Sequence, residues 1–210
     1  MAWIDYQKAL DRVPHSWIIK SLELIGINNK VISFIKKDMS YWRTRMRLHA
    51  ENKLIEAEDI KIQCGILQED SLSSLLFCIC LIPLTEQLNR LDTGYEEHKT
   101  KTKISHLFYM DDLKLFAKSE EELQKQIQTA KTISDDIDME LGLEKCAKIA
   151  FKGGKLSSPT KFSDRHQQIN TRARTGENVQ YLGIEESEGI QHQQMKERVK
   201  QEYSRRLRMN

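Results

Sequence analysis

Two adjacent aspartates, Asp111 and Asp112, stand between the apolar runs Leu107-Phe108-Tyr109-Met110 and Leu113-Lys114-Leu115-Phe116. β-prone residues on both sides of a short acidic pair predict a tight hairpin with the carboxylates at its tip. Flanking strands would hold those groups where a loop would let them drift. Rigid, converging carboxylates suit two-metal phosphoryl transfer, in which divalent ions ~4 Å apart need anionic oxygen ligands. A solvated acidic turn is the plainer reading of a bare Asp-Asp pair. Asp135-Asp136, in a polar helical stretch, is predicted to be such a surface pair.

A third carboxylate favours the chemistry. Asp5 ends the short apolar run that opens the chain. Placed on a strand beside the hairpin, it would complete a three-carboxylate cluster with Asp111 and Asp112.

The elements that must position these groups follow from pattern. The first six residues read as a strand, followed by a turn and a helix from near Pro14. Apolar residues recur at helical spacing from Ser16 to Met39, broken into two helices by Gly26-Ile27-Asn28-Asn29. Tyr41 to Ile66 reads as two strands around a turn near Glu51-Asn52. Asp70-Ser71 supplies N-cap chemistry for an apolar helix to about Leu91. After the hairpin, Ile104 to Lys118, Ser119 caps a helix to about Met139, with Glu120, Glu121 and Glu122 placed well for its dipole. Cys146 to Lys152 is a predicted strand and Val179 to Ile184 another. Residues 153–177, rich in Gly, Ser, Thr, Gln and Arg, read as a loop or linker. A basic helix is expected from about Ile190 to Met209.

Composition sets the class. With 39% hydrophobic and 30% charged residues, the 210-residue chain can bury a core and is not of the disordered class. The longest apolar run, Leu75 to Leu84, is too short to span a bilayer. Asp5, Lys8, Asp11 and Arg12 interrupt any candidate signal peptide. The four cysteines show neither a CxxC pair nor zinc spacing, so reduced thiols in an intracellular protein are expected. Net charge is +2, which does not announce a nucleic-acid binder. Basic residues do cluster, at Lys36, Lys37, Arg43, Arg45 and Arg47 and again from Lys196 to Arg208. Such patches could contact phosphates or could be solvated helix faces.

Three segments together carry a resemblance. Asp5-Tyr6-Gln7-Lys8-Ala9-Leu10-Asp11, Gln68-Glu69-Asp70-Ser71-Leu72-Ser73-Ser74-Leu75-Leu76-Phe77 and Tyr109-Met110-Asp111-Asp112 resemble, in order and spacing, motifs of one family. These are the DxxKAFD, QGDSLSPLLF and YxDD motifs of the reverse transcriptase domain of non-long-terminal-repeat retrotransposons. The resemblance implies an α+β polymerase palm, an antiparallel sheet backed by helices. It would lack most of the fingers and keep a partial thumb and primer grip. The expected division is palm over 1–152, linker over 153–177, and primer-grip strand with basic helix over 178–210. The first strand, with no upstream partner, is expected to expose an unpaired apolar edge.

By the same resemblance, Asp5, Asp111 and Asp112 would be the catalytic aspartates and ligands of two Mg²⁺ ions. Lys145 would protonate pyrophosphate. Tyr109 and Met110 would lie under the primer terminus and new base pair, Gln68 would contact the incoming nucleotide, and Leu10 would face its sugar. Tyr181, Leu182 and Gly183 would grip the primer. Implied partners are an RNA template, a DNA primer and deoxynucleoside triphosphates; no membrane is involved, and nuclear action follows by family analogy. Two departures imply impaired activity: Glu69 stands where the family has glycine, and Leu10 where it has an aromatic steric gate. Ser74 replaces a usual proline, a milder change. The alternatives are a catalytically dead RNA-binding or protein-interaction remnant and, from another class, a metal-dependent nuclease or phosphohydrolase.

Overall fold

The protein is described from a computed structural model, and the residues described are 1–50, 53–68, 70–97, 99–142, 145–152, 155–157, 179–181, 184–186, 196–197 and 200–201. In chain order the first elements are β1 (Ala2–Ile4), α1 (Ala9–Arg12), α2 (His15–Leu24), α3 (Asn29–Ser40), β2 (Arg43–Thr44), β3 (Arg47–Ala50), β4 (Lys53–Glu56) and β5 (Ile60–Lys61). There follow α4 (Ser73–Arg90), β6 (Tyr95–Glu96), β7 (Lys103–Ile104), β8 (His106–Tyr109), β9 (Asp112–Leu115) and α5 (Glu120–Asp136). Short strands close the series: β10 (Ala147–Lys148), β11 (Ala150–Lys152), β12 (Lys155–Ser157), β13 (Val179–Tyr181) and β14 (Ile184–Glu186). Helices are interspersed with strands along the chain, and the strand pairings among the described residues are antiparallel, which makes the class α+β.

The chain divides into two compact units, one of Met1–Asp5, Gly94–Leu123 and Leu141–Asn210, the other of Tyr6–Thr93 and Gln124–Glu140. In the first, four antiparallel strands run in the order β10-β1-β9-β8. β1 is therefore interior, and the expected unpaired first edge is not found. Ala2 and Trp3 pair with Lys148 and Ala147 on one side. On the other, Ala2, Trp3 and Ile4 pair with Leu115, Lys114 and Leu113. The N-terminal amine donates to the Ile149 carbonyl at 2.8 Å, extending that pairing by one step. The partner thus comes from downstream sequence, the first part of the strand expected over Cys146–Lys152, whose pairing with β1 is not visible in pattern. All three β1 residues are buried, as are Leu113 and Leu115, and the Lys114 ammonium lies 4.9 Å from the Trp3 ring centre. Each of those leucines contributes about 1.5–3 kcal/mol through burial.

In the second unit, α2 and α4 pack together. Ile18 and Leu22 of α2 and Phe77, Cys80, Leu84 and Leu88 of α4 are buried, the latter set at the spacing of one helix face. The Trp17 indole N–H donates to the Cys80 carbonyl at 3.0 Å. All four cysteines are free, and burial pushes the Cys80 thiol up to about 12. The break between α2 and α3 falls as expected, with the Asn28 side chain accepting the Lys30 N–H.

Several boundaries differ from the sequence reading. α1 is a four-residue helix that pattern did not predict. Helix α4 begins at Ser73, because Asp70 spends its carboxylate on the Leu72 N–H at 2.8 Å. Ser119 caps α5 as expected, accepting the Glu122 N–H, and Asp135 and Asp136 are exposed. The strand expected over Cys146–Lys152 is two, broken at Ile149. Of the expected linker, Lys155–Ser157 is described, and it is a strand paired with β11. The strand expected at Val179–Ile184 is seen as β13 and β14; residues 182–183 and most of the expected basic helix lie outside the described residues. No helix among the described residues is long and apolar enough to cross a membrane.

Candidate active site

Backbone register brings the first unit's carboxylates together. β8 and β9 form a two-residue hairpin closed by the Tyr109–Asp112 pair, leaving Met110 and Asp111 at the turn. Met110 takes a left-handed φ of 53°, a conformation a long side chain resists and one that concentrates at functional turns. Ile4 pairs with Leu113, so continuing the register by one residue sets Asp5 across from Asp112. The three carboxylates meet electrostatically. Asp112 is held above the usual aspartate range by burial first, then by Asp111 and Asp5, with Lys145 opposing.

Lys145 faces the same cluster, its Nζ 3.3 Å from Asp5 Oδ2. A turn delivers it there: the Lys145 and Cys146 N–H groups both donate to the Gly142 carbonyl, at 2.8 and 3.1 Å. Asp5, Asp111 and Asp112 are half-buried, so their charges are only partly screened. Carboxylate oxygens on adjacent strand ends are the donor set of a hard divalent cation such as Mg²⁺. Among the described residues, no three Asp, Glu, His or Cys side chains converge closely enough to hold an ion as they stand.

The raised Asp112 has a consequence for stability. A carboxylate whose folded value lies above the ordinary 3.8 is penalised in its charged form by the fold. That penalty is absent below 3.8 and develops as pH rises through the folded value. Asp112→Asn is therefore expected to raise the denaturation midpoint at pH 7 in chelating buffer and to lose that advantage by about pH 3. A midpoint shift that is the same at both pH values would contradict this.

The remaining sequence candidates fall as follows. Tyr109 is exposed and Met110 half-buried, with Leu107 also exposed on the Tyr109 face of β8. Leu10 and Gln68 belong to the second unit, where Leu10 is half-buried in α1 and Gln68 exposed. The Gln68 side-chain amide donates to Asp11 Oδ1 at 2.9 Å. Backbone bonds tie the same two segments: Ile66 N–H to the Leu10 carbonyl and Gly65 N–H to the Val13 carbonyl, both 2.8 Å. Tyr181 lies in β13; Leu182, Gly183 and Glu69 are outside the described residues. The first basic cluster is largely engaged. Arg45 pairs with Asp59 and Glu56, Arg47 pairs with Glu56, and Arg43 donates to the Ser40 and Trp42 carbonyls. Sequence reasoning passed over Gly65 and Gly142, whose roles need three-dimensional neighbours to show.

An acidic strand end beside an Asp-Asp hairpin, on an antiparallel sheet in an α+β chain, is the arrangement of a palm-type nucleotidyltransferase. The chain belongs to the reverse transcriptase (RNA-dependent DNA polymerase) family, whose profile matches residues 1–185. It is 29% identical over 147 residues to the retrovirus-related Pol polyprotein from type-1 retrotransposable element R2 of Popillia japonica. That match takes in 70% of this chain and 23% of the relative, so the chain spans about a quarter of that protein's length. The retrotransposon kinship suggested by the motifs is borne out. A telomerase from Candida albicans, solved with a fragment of telomeric RNA, superposes with a TM-score of 0.47 at 12% identity, over 88% of this chain and 28% of that one.

Proposed function

We propose that the chain is the palm of an RNA-directed DNA polymerase that joins deoxynucleotides to a primer by two-metal nucleotidyl transfer. The observation that carries this reading is the meeting of Asp5 with the Asp111-Asp112 hairpin through the β1–β9 register. Asp5 and Asp111 would hold both ions and Asp112 would support the cluster through its charge. When bound, the ions would supply the positive charge that activates the primer 3′-hydroxyl and neutralises the triphosphate. Lys145, already 3.3 Å from Asp5, would stand by to give a proton to the departing pyrophosphate. The exposed Leu107 and Tyr109 face would support the primer end. Gln68, its amide oriented by Asp11, would read the incoming nucleotide. An RNA template, a DNA primer and deoxynucleoside triphosphates are the corresponding substrates.

Activity is expected to be impaired for two local reasons. Glu69 sets a negative charge next in sequence to Gln68, where a triphosphate must approach. Leu10 gives a smaller and more flexible wall than the aromatic gate. Primer extension on an RNA template with Mg²⁺ tests the reading: weak or absent synthesis by the chain, restored by Glu69→Gly with Leu10→Phe, is expected. Robust synthesis by the unaltered chain would refute the impairment; no extension by the restored variant would count against the polymerase. Leu10→Phe alone is expected to raise discrimination against ribonucleotides by about 10-fold or more, the scale of 1–3 kcal/mol for a steric difference in a pocket. Competing deoxy- and ribonucleotide incorporation measures it, and an unchanged ratio would show that position 10 does not face the sugar.

A further inference from the structure

We propose that Gly142 is a positioning residue for the Asp5 carboxylate, seating it by offering a backbone donor and by having no side chain. The inference rests on reading Asp5 as a metal ligand and adds the group that aims it. Three observations converge on Gly142. Its N–H donates to the Asp5 carbonyl at 2.7 Å, fixing the backbone from which the carboxylate springs. Its own carbonyl gathers the Lys145 and Cys146 N–H groups, shaping the turn that sets the Lys145 ammonium on Asp5 Oδ2. A Cβ at position 142 would lie 2.7 Å from Asp5 Oδ2, well inside van der Waals contact.

The third observation separates this glycine from the usual kind. The φ of Gly142 lies outside the left-handed region, so its backbone would accept an alanine. What excludes a methyl group is the carboxylate itself. Gly142 is buried, and the atom it would strike ends a short side chain that can rotate away. The fold would survive that rotation, whereas a metal ligand works only when held within about 0.5 Å of its productive place. One residue thus sets three things together: the Asp5 backbone, the direction of its carboxylate, and the cation beside it. The sequence Leu141-Gly142-Leu143-Glu144-Lys145 draws notice for its lysine, yet the glycine is the part that meets Asp5 at both backbone and side chain.

The test uses the full chain and two readouts independent of polymerisation. A carbodiimide joins a carboxylate to a neighbouring amine, so the wild-type chain is expected to yield an Asp5–Lys145 isopeptide bond detectable by peptide mass spectrometry. Gly142→Ala is expected to lose most of that product. Mn²⁺ binding followed by electron paramagnetic resonance is expected to weaken by about 10- to 100-fold, the usual effect of disturbing a group that orients a ligand. Unchanged cross-linking and unchanged Mn²⁺ affinity in Gly142→Ala would overturn the proposal. If the cross-link is lost while the wild type itself binds no Mn²⁺, the positioning role stands and the metal reading of Asp5 fails. Should Gly142→Ala not fold, adding Asp5→Ala removes the atoms its methyl would meet and is expected to restore folding. A double variant that stays unfolded would also overturn the proposal.

Discussion

In a background restored by Leu10→Phe and Glu69→Gly, Asp111→Ala and Asp5→Ala are each expected to lower single-nucleotide incorporation by about 10³-fold or more, roughly 4 kcal/mol of transition-state stabilisation. The size follows from what each carboxylate would hold. If Asp5 and Asp111 are shared ligands as proposed, removing either would take positive charge from the two oxygens on which negative charge develops. Lys145 makes matters worse rather than better, because its ammonium, deprived of Asp5, is left beside Asp112. Asp112→Asn is expected to lose less, since that side chain is assigned a supporting charge. Asp135→Ala, in an exposed pair of the same residue type, should leave the rate unchanged. Incorporation measured with Mg²⁺ on an RNA template, at saturating nucleotide, decides the matter. Asp5→Ala retaining more than a tenth of the rate would remove Asp5 from the catalytic set, and with it the two-metal reading.

That experiment probes the part of the protein most legible in its amino acids. Apolar, β-prone runs on either side of Asp111-Asp112 predicted a hairpin, and the structure places the pair at its turn and first strand residue. The placement of Asp5 was legible only through resemblance, because a three-residue strand carries no period of its own; the pairing of Ile4 with Leu113 supplies the physical reason. Long-range partners of very short strands were invisible. The strand that contains β10 was predicted, but nothing in the sequence shows that it pairs with β1, and so β1 looked like an exposed edge. Basic clusters were ambiguous in sequence. Arg43, Arg45 and Arg47 were open to reading as phosphate contacts or as a solvated face, and neighbouring carbonyls, Asp59 and Glu56 engage them. Exposed pairs of this kind are worth little individually, and a phosphate could still displace them. Least legible were the glycines at the site, since what demands them lies far along the chain.

Gly65→Ala is expected to destabilise the chain by about 2–5 kcal/mol, the sum of a strained backbone and a contact that cannot relax. Gly65 has a φ of 87°, where a side chain is strained whatever the surrounding space. A Cβ there would also lie 2.7 Å from the Asp11 carbonyl oxygen and 3.0 Å from its carbonyl carbon and Cα. These are backbone atoms of α1, locked by the bonds from Gly65 to Val13 and from Ile66 to Leu10, so they cannot swing aside as the Asp5 carboxylate can. The His15 ring N–H donates to the Gly65 carbonyl at 3.0 Å, pinning the loop from the other side. Asparagine, which tolerates positive φ better than alanine, separates the two causes. Gly65→Asn should recover the backbone part and none of the contact, leaving it intermediate between wild type and Gly65→Ala in a denaturant titration. Equal midpoints for wild type and Gly65→Ala would show that the Leu10–Val13 and Gly65–Gln68 segments are not clamped together. The clamp matters beyond stability because Gln68 reaches Asp11 across it. Asp11→Ala spares every backbone bond in the clamp while releasing the Gln68 amide, so it is expected to raise the nucleotide KM with little change in the denaturation midpoint.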